Sequence, residues 1–160
     1  LSSDEAFLAS LWRALRDAKL EAILVGSGGA AVQGAPVTTQ DFDLLIRDSE
    51  GNRAKLEDVA ARIGSARPRK ISPLATALTL VGAEIPVDIL LDQIAGGLRF
   101  EAVRARAVKV KLADVELVVA CLPDIIASKR AANRPKDQAQ LPILEATLRV
   151  IETLGKTNPL

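Results

Sequence analysis

Thr39-Gln40-Asp41-Phe42-Asp43-Leu44-Leu45-Ile46 places a D-x-D at the mouth of an apolar run. In an extended chain residues two apart face the same side, about 6.5 Å apart by strand rise. Asp41 and Asp43 therefore share one face, while Phe42, Leu44 and Ile46 fill the opposite, core-facing one. Two carboxylates so placed can close on one metal, or share a pair of ions about 3.5–4 Å apart, as in two-metal phosphoryl transfer. They can equally cap a turn before the strand. Asp88 bears on the choice, because it stands inside Ile85-Pro86-Val87-Asp88-Ile89-Leu90-Leu91. A bare carboxylate in such a strand is costly unless a cation or hydrogen bonds compensate it. An ion pair with an arginine is one solution, and a metal shared with the D-x-D strand is the other. Oxygen-only ligands with no His point to magnesium or manganese.

Upstream, residues 22–25 form a short apolar run ended by Gly26, read as a buried strand. Gly26-Ser27-Gly28-Gly29 follows and leads into a short helix over 28–34. Backbone N–H groups there, with the Ser27 hydroxyl, can hold a phosphate; a tight strand-to-helix turn without a ligand is the plainer reading. Gly26, Gly28 and Ala31 also match the G-x-G-x-x-A dinucleotide fingerprint. That fingerprint wants an acidic residue closing the next strand, whereas Asp41 and Asp43 open theirs. A Walker-type G-K-[ST] is absent.

Ser2 with Glu5 three residues on reads as a capping box opening a helix over 3–19, its apolar face made by Phe7, Leu8, Leu11, Trp12 and Leu15. Residues 52–63 are helical by pattern. Residues 75–81 and 85–91 read as an antiparallel hairpin around Gly82-Ala83-Glu84. Residues 103–112 and 116–119 read as a second, outlying hairpin around Ala113-Asp114, with a bulge or bend near Ala107 where the apolar parity switches. Helices follow over 123–133 and 136–154, with Pro142 expected to kink the last or restart it. This order indicates α+β: a mixed sheet with helices packed on one side and a C-terminal helical segment. The catalytic core is expected over 1–120, with 121–160 as helices packed on it in one compact unit.

The 160 residues suit a single domain. Nearly half are hydrophobic, and three Phe, one Trp and no Tyr make the core aliphatic. A net charge of +1 gives no global field for a polyanion. Without His, a His-based triad is excluded and zinc chemistry disfavoured. Cys121 is alone, among apolar neighbours, and reads as a small buried hydrophobe in a reducing, cytoplasmic compartment. No stretch approaches the roughly 20 apolar residues of a membrane span, and the first residues do not read as a signal peptide.

These pieces together resemble the polymerase-β-like nucleotidyltransferase superfamily. The resemblance is carried by Ile23-Leu24-Val25-Gly26-Ser27, the D-x-D strand from Thr39 to Ile46, and Pro86-Val87-Asp88-Ile89-Leu90. The long interval from Ser27 to Asp41 is similar to the branch of AbiEii-like and MenT-like toxins of bacterial toxin–antitoxin systems. So is the run Leu122-Pro123-Asp124-Ile125-Ile126-Ala127-Ser128-Lys129 with Arg134-Pro135-Lys136-Asp137. Val37 departs from that branch, which often has a basic residue there.

The resemblance implies that Gly26 and Ser27 grip triphosphate oxygens, with Thr39 in the nucleotide-binding set, and that Asp41, Asp43 and Asp88 bind Mg2+ or Mn2+. Asp88 would also help deprotonate an acceptor hydroxyl. Lys129 is a candidate phosphate contact oriented by Asp137; a solvated helix end is the other reading of Lys129, Arg130 and Arg134. The expected substrates are a nucleoside triphosphate and an acceptor that is a tRNA, a protein or a small molecule, with a cognate antitoxin as partner and no membrane. Arg99, Arg104, Arg106, Lys109 and Lys111, taken to cluster on the outlying hairpin, would line an acidic acceptor or guard an exposed edge. A non-catalytic nucleotide-binding protein of the same fold and a dinucleotide-dependent oxidoreductase are the competing readings.

Overall fold

The computed structural model describes residues 1–157, so the last three residues of the expected C-terminal segment lie outside the described residues. Helix α1 (Ser3–Ala18) opens at Ser2, whose hydroxyl accepts from the Glu5 N–H at 3.2 Å, and closes at Lys19 in the left-handed region. Its expected apolar face is buried. Strand β1 (Ile23–Val25) runs into α2 (Gly26–Ala31), then β2 (Phe42–Ile46) and α3 (Glu50–Arg62). β3 (Leu78–Leu80) and β4 (Val87–Leu91) form the expected antiparallel hairpin. There follow a two-stranded ribbon, β5 (Gln93–Ile94) with β6 (Leu98–Arg99), then α4 (Phe100–Arg106), β7 (Val108–Leu112), β8 (Val115–Val119), α5 (Leu122–Ala132) and α6 (Pro135–Thr157).

Six strands make one mixed sheet in the order β3-β4-β2-β1-β8-β7. β2 lies antiparallel to β1 and parallel to β4, while β8 pairs with β1 in parallel. Alternation divides the apolar residues between its two faces. Leu24, Phe42, Leu44, Ile46 and Ile89 join α1 and α3 in one cluster; Ile23, Val25 and Leu45 join residues of α4, α5 and α6 in the other. The opposite orientation of Phe42 and Leu44 leaves Asp43 on the second face, with the C-terminal helices.

Four local expectations change. Residues 103–106 are helix, not strand: Phe100 and Val103, three apart, are buried together, and α4 ends at Ala107, where a bulge was expected. The β7–β8 hairpin is not outlying, since β8 adds to β1 and buries Val115, Leu117 and Val119. The basic residues assigned to it are divided among β6, α4 and β7. Arg104 pairs with Glu21, Arg106 with Asp124 at 3.0 Å, and Lys109 with Glu116 at 3.7 Å. α6 continues through Pro142 without restarting.

Candidate active site

Parallel pairing of β2 with β4 sets Asp43 directly opposite Asp88, and β3 on the far side sets Thr79 opposite Asp88. Thr79 Oγ1 donates to Asp88 Oδ1 at 2.8 Å. Asp41 sits just before β2, and the Thr39 hydroxyl donates to its carbonyl. A carboxylate oxygen from each of Asp41, Asp43 and Asp88 lies within 4.8 Å of the other two. No salt bridge among the described residues engages any of the three.

Electrostatics records the crowding. Burial, then the charges of Asp41 and Asp88, push the Asp43 carboxyl up to about 7. Burial also raises Asp88, with Asp41 adding to it and the Thr79 hydrogen bond opposing. Three converging oxygen donors that repel one another and lack an ion-pair partner fit a hard divalent cation such as Mg2+ or Mn2+.

The Gly-rich turn lies against the same aspartates. Gly26 has φ +66°, and a Cβ there would sit 2.4 Å from Asp43 Oδ2. Both the backbone and the close approach therefore demand glycine. A Cβ on Gly28 would come within 2.6 Å of the Phe42 ring, so α2 packs tightly on β2.

The basic side comes from α5 and α6. Lys129, with a side chain 6% exposed, is not a solvated helix end. Its Nζ donates to Ser27 Oγ at 3.0 Å and to Asp137 Oδ1 at 3.4 Å. Burial holds the Lys129 ammonium below its usual pKa, against the pull of Asp137. Asp137 is fully buried. Burial alone would raise its carboxyl, but the hydrogen bonds from Arg134 and the charge of Lys129 outweigh that and keep it below the usual range. Arg134 Nε donates to Asp137 Oδ2 at 2.7 Å. Arg130 instead faces outward and pairs with Glu145.

A cleft of about 670 Å³ joins these parts, lined by Gly26, Ser27, the three aspartates, Lys129, Arg134 and Lys136. Ala95, Gly96 and Gly97 of the β5–β6 turn and Ile125 and Ser128 of α5 line it as well. Of the residues expected at the site, the structure gathers Gly26, Ser27, Asp41, Asp43, Asp88 and Lys129 here. Thr39 is spent on the Asp41 carbonyl and does not line the cleft. Val37 packs against the second apolar cluster. Sequence reasoning missed Thr79, whose place beside Asp88 depends on strand register. It also missed Gln140, which accepts the Ser27 hydroxyl at 2.8 Å and stands three residues, about one helical turn, after Asp137.

No protein-family model and no curated protein sequence matches the chain. Solved structures do, and the fold they share with it is that of the nucleotidyltransferases. The antibiotic-resistance factor ANT(2'')-Ia, in complex with adenylyl-2''-tobramycin, superposes with a TM-score of 0.66 at 15% identity, over 96% of this chain and 95% of that one. A candidate nucleotidyltransferase from Thermotoga maritima gives 0.58 at 19% identity, over 94% and 92%. An antigenic nucleotidyltransferase-like protein from Paracoccidioides brasiliensis gives 0.53 at 13%, over 94% and 78%. No helix among the described residues is long and apolar enough to cross a membrane.

Proposed function

We propose that this chain is a metal-dependent nucleotidyltransferase, moving a nucleotide from a nucleoside triphosphate to a hydroxyl acceptor. The observation that carries the reading is the convergence of Asp41, Asp43 and Asp88 in one cleft with Ser27 and Lys129. Asp41, Asp43 and Asp88 would hold Mg2+ or Mn2+. When bound, such ions offset the negative charge of the triphosphate and favour attack at phosphorus. The α2 turn at Gly26-Ser27 and the cations Lys129, Arg134 and Lys136 orient the triphosphate. Asp88, steadied by Thr79 through one oxygen, is placed to accept the acceptor's proton on the other. Catalysis is then chiefly positioning and electrostatic stabilisation.

For the acceptor, a small-molecule hydroxyl has the better support. ANT(2'')-Ia, solved with adenylyl-2''-tobramycin, has nearly the same extent as this chain. Pairing of Arg104, Arg106 and Lys109 with carboxylates also removes much of the basic surface that a tRNA would need. A second reading, a toxin-like enzyme acting on tRNA or protein and held by a cognate antitoxin, is supported by the run from Leu122 to Asp137. That run supplies the Lys129–Asp137 pair. A reducing, cytoplasmic setting fits both, with Cys121 half-buried and its thiol pKa raised by burial.

The test is magnesium-dependent pyrophosphate release with each of the four nucleoside triphosphates, against aminoglycoside, tRNA and protein acceptors. Release lost in Asp41→Asn/Asp43→Asn is the expected result. Tight binding of triphosphate with no turnover on any acceptor would instead favour a non-catalytic nucleotide-binding protein.

A further inference from the structure

The Ser27 hydroxyl, expected to donate to a phosphate oxygen, already has its proton committed. Ser27 Oγ donates to Gln140 Oε1 at 2.8 Å and accepts from Lys129 Nζ at 3.0 Å. A hydroxyl carries one proton, so with Gln140 taking it Ser27 meets Lys129 purely as an acceptor. Lys129 has three N–H bonds and no lone pair. Asp137 takes one and Ser27 another, which leaves the third for a ligand in the cleft that Lys129 lines. Ser27 and Lys129 are 4% and 5% exposed, so water is a poor substitute for either bond. A hydroxyl turned the wrong way would leave the buried ammonium short of an acceptor.

We infer that Gln140 is a positioning residue: by holding the Ser27 proton, it fixes Ser27 Oγ as the acceptor that aims Lys129 at the polyphosphate. Lys129 of α5, not the Ser27 hydroxyl, is then the side-chain phosphate contact beside the α2 turn. Both partners that orient Lys129 are controlled from one turn of α6, Asp137 directly and Gln140 through Ser27. The identity of the ligand rests on the nucleotidyltransferase reading; the direction of the hydrogen bonds does not.

The experiment is calorimetric titration of the full chain with inorganic tripolyphosphate in magnesium, a probe with neither base nor acceptor. It compares the native chain, Gln140→Met, Ser27→Ala and the double variant. Methionine matches the length of glutamine without its acceptor oxygen. Each single variant is expected to bind about fivefold more weakly, the factor for one net hydrogen bond. The double variant is expected to bind no worse than Ser27→Ala, because without the hydroxyl Gln140 has no proton to hold.

Unchanged or tighter binding by Gln140→Met would overturn the relay, since a released hydroxyl would then be serving the phosphate. Losses that multiply in the double variant would overturn it too, because Gln140 would be acting by another route. If the native chain binds no tripolyphosphate, the nucleotidyltransferase reading fails and takes the relay with it. Native binding untouched by Gln140→Met sinks the relay alone. Thermal melts check each fold, and Gln140→Leu replaces the methionine variant if that melt is not cooperative.

Discussion

Gly26 and Asp43 are one device in two residues. A side chain at Gly26 would meet both a positive φ and the Asp43 carboxylate, so Gly26→Ala has to displace either the turn or the aspartate. We expect that variant to lose about 1–2 kcal/mol of stability by urea unfolding and at least tenfold in magnesium-dependent triphosphate affinity. Native-like affinity would mean that Asp43 is not a ligand. Asp43 also makes the metal-free chain sensitive to pH. Its folded pKa of about 7 lies above the ordinary carboxyl value, so between about pH 4 and 7 the folded state holds a proton that the unfolded state has lost. Stability in chelator should therefore fall as pH rises through that window, with Asp88 adding in the same direction. Asp43→Asn removes the group that titrates, and should flatten the slope and stabilise the metal-free chain at pH 7 by on the order of 1–3 kcal/mol. Chemical unfolding at pH 5 and 7.5 in chelator is the measurement; an equal slope in both proteins would refute the assignment.

At the scale of elements, α5 and α6 are tied through Asp137. This fully buried carboxylate is shared by Lys129 and Arg134, and removing it strands an ammonium whose side chain is 6% exposed. Asp137→Ala should cost about 3 kcal/mol or more in urea unfolding, as broken buried pairs do; a loss below 1 kcal/mol would mean that the pair is solvated. The pair has a sequence trace, eight residues apart across a helix break, and so did the aspartates, since strand alternation puts Asp43 opposite the core face of β2. The rest was hidden for specific reasons. Arg104 and Arg106 alternate as in a strand, yet the burial of Phe100 and Val103 three apart makes α4, because tertiary burial overrides a period read from two charges. β5 and β6 have two residues each, too few for any period to emerge. Thr79 and Gln140 contact the site only through strand register and helix packing, which no local pattern encodes.

For the whole molecule, the site is the place where distant parts of the chain meet. Ser27 and Gln140, or Asp43 and Lys129, come together only when the sheet and both apolar clusters have formed. A ligand that bridges β2, β4, α2 and α5 should therefore stabilise the entire fold rather than one loop, and should be visible in a global melt. Binding at one hundred times Kd adds about 2.7 kcal/mol. For a chain of this size that corresponds to a rise in Tm of roughly 5–10 °C. We expect the preferred triphosphate with magnesium to produce that rise, and chelator to reverse it. In Asp41→Asn/Asp43→Asn the rise should vanish even though the metal-free melt of that variant lies above the native one, since two repelling carboxylates are gone. That inversion separates a metal site from a structural acid cluster. Carboxylates that served the fold alone would lower Tm when removed, whereas carboxylates held in tension for a cation raise it and forfeit the ligand. A native Tm that no triphosphate moves, with or without magnesium, would refute the nucleotidyltransferase reading at the scale of the whole chain.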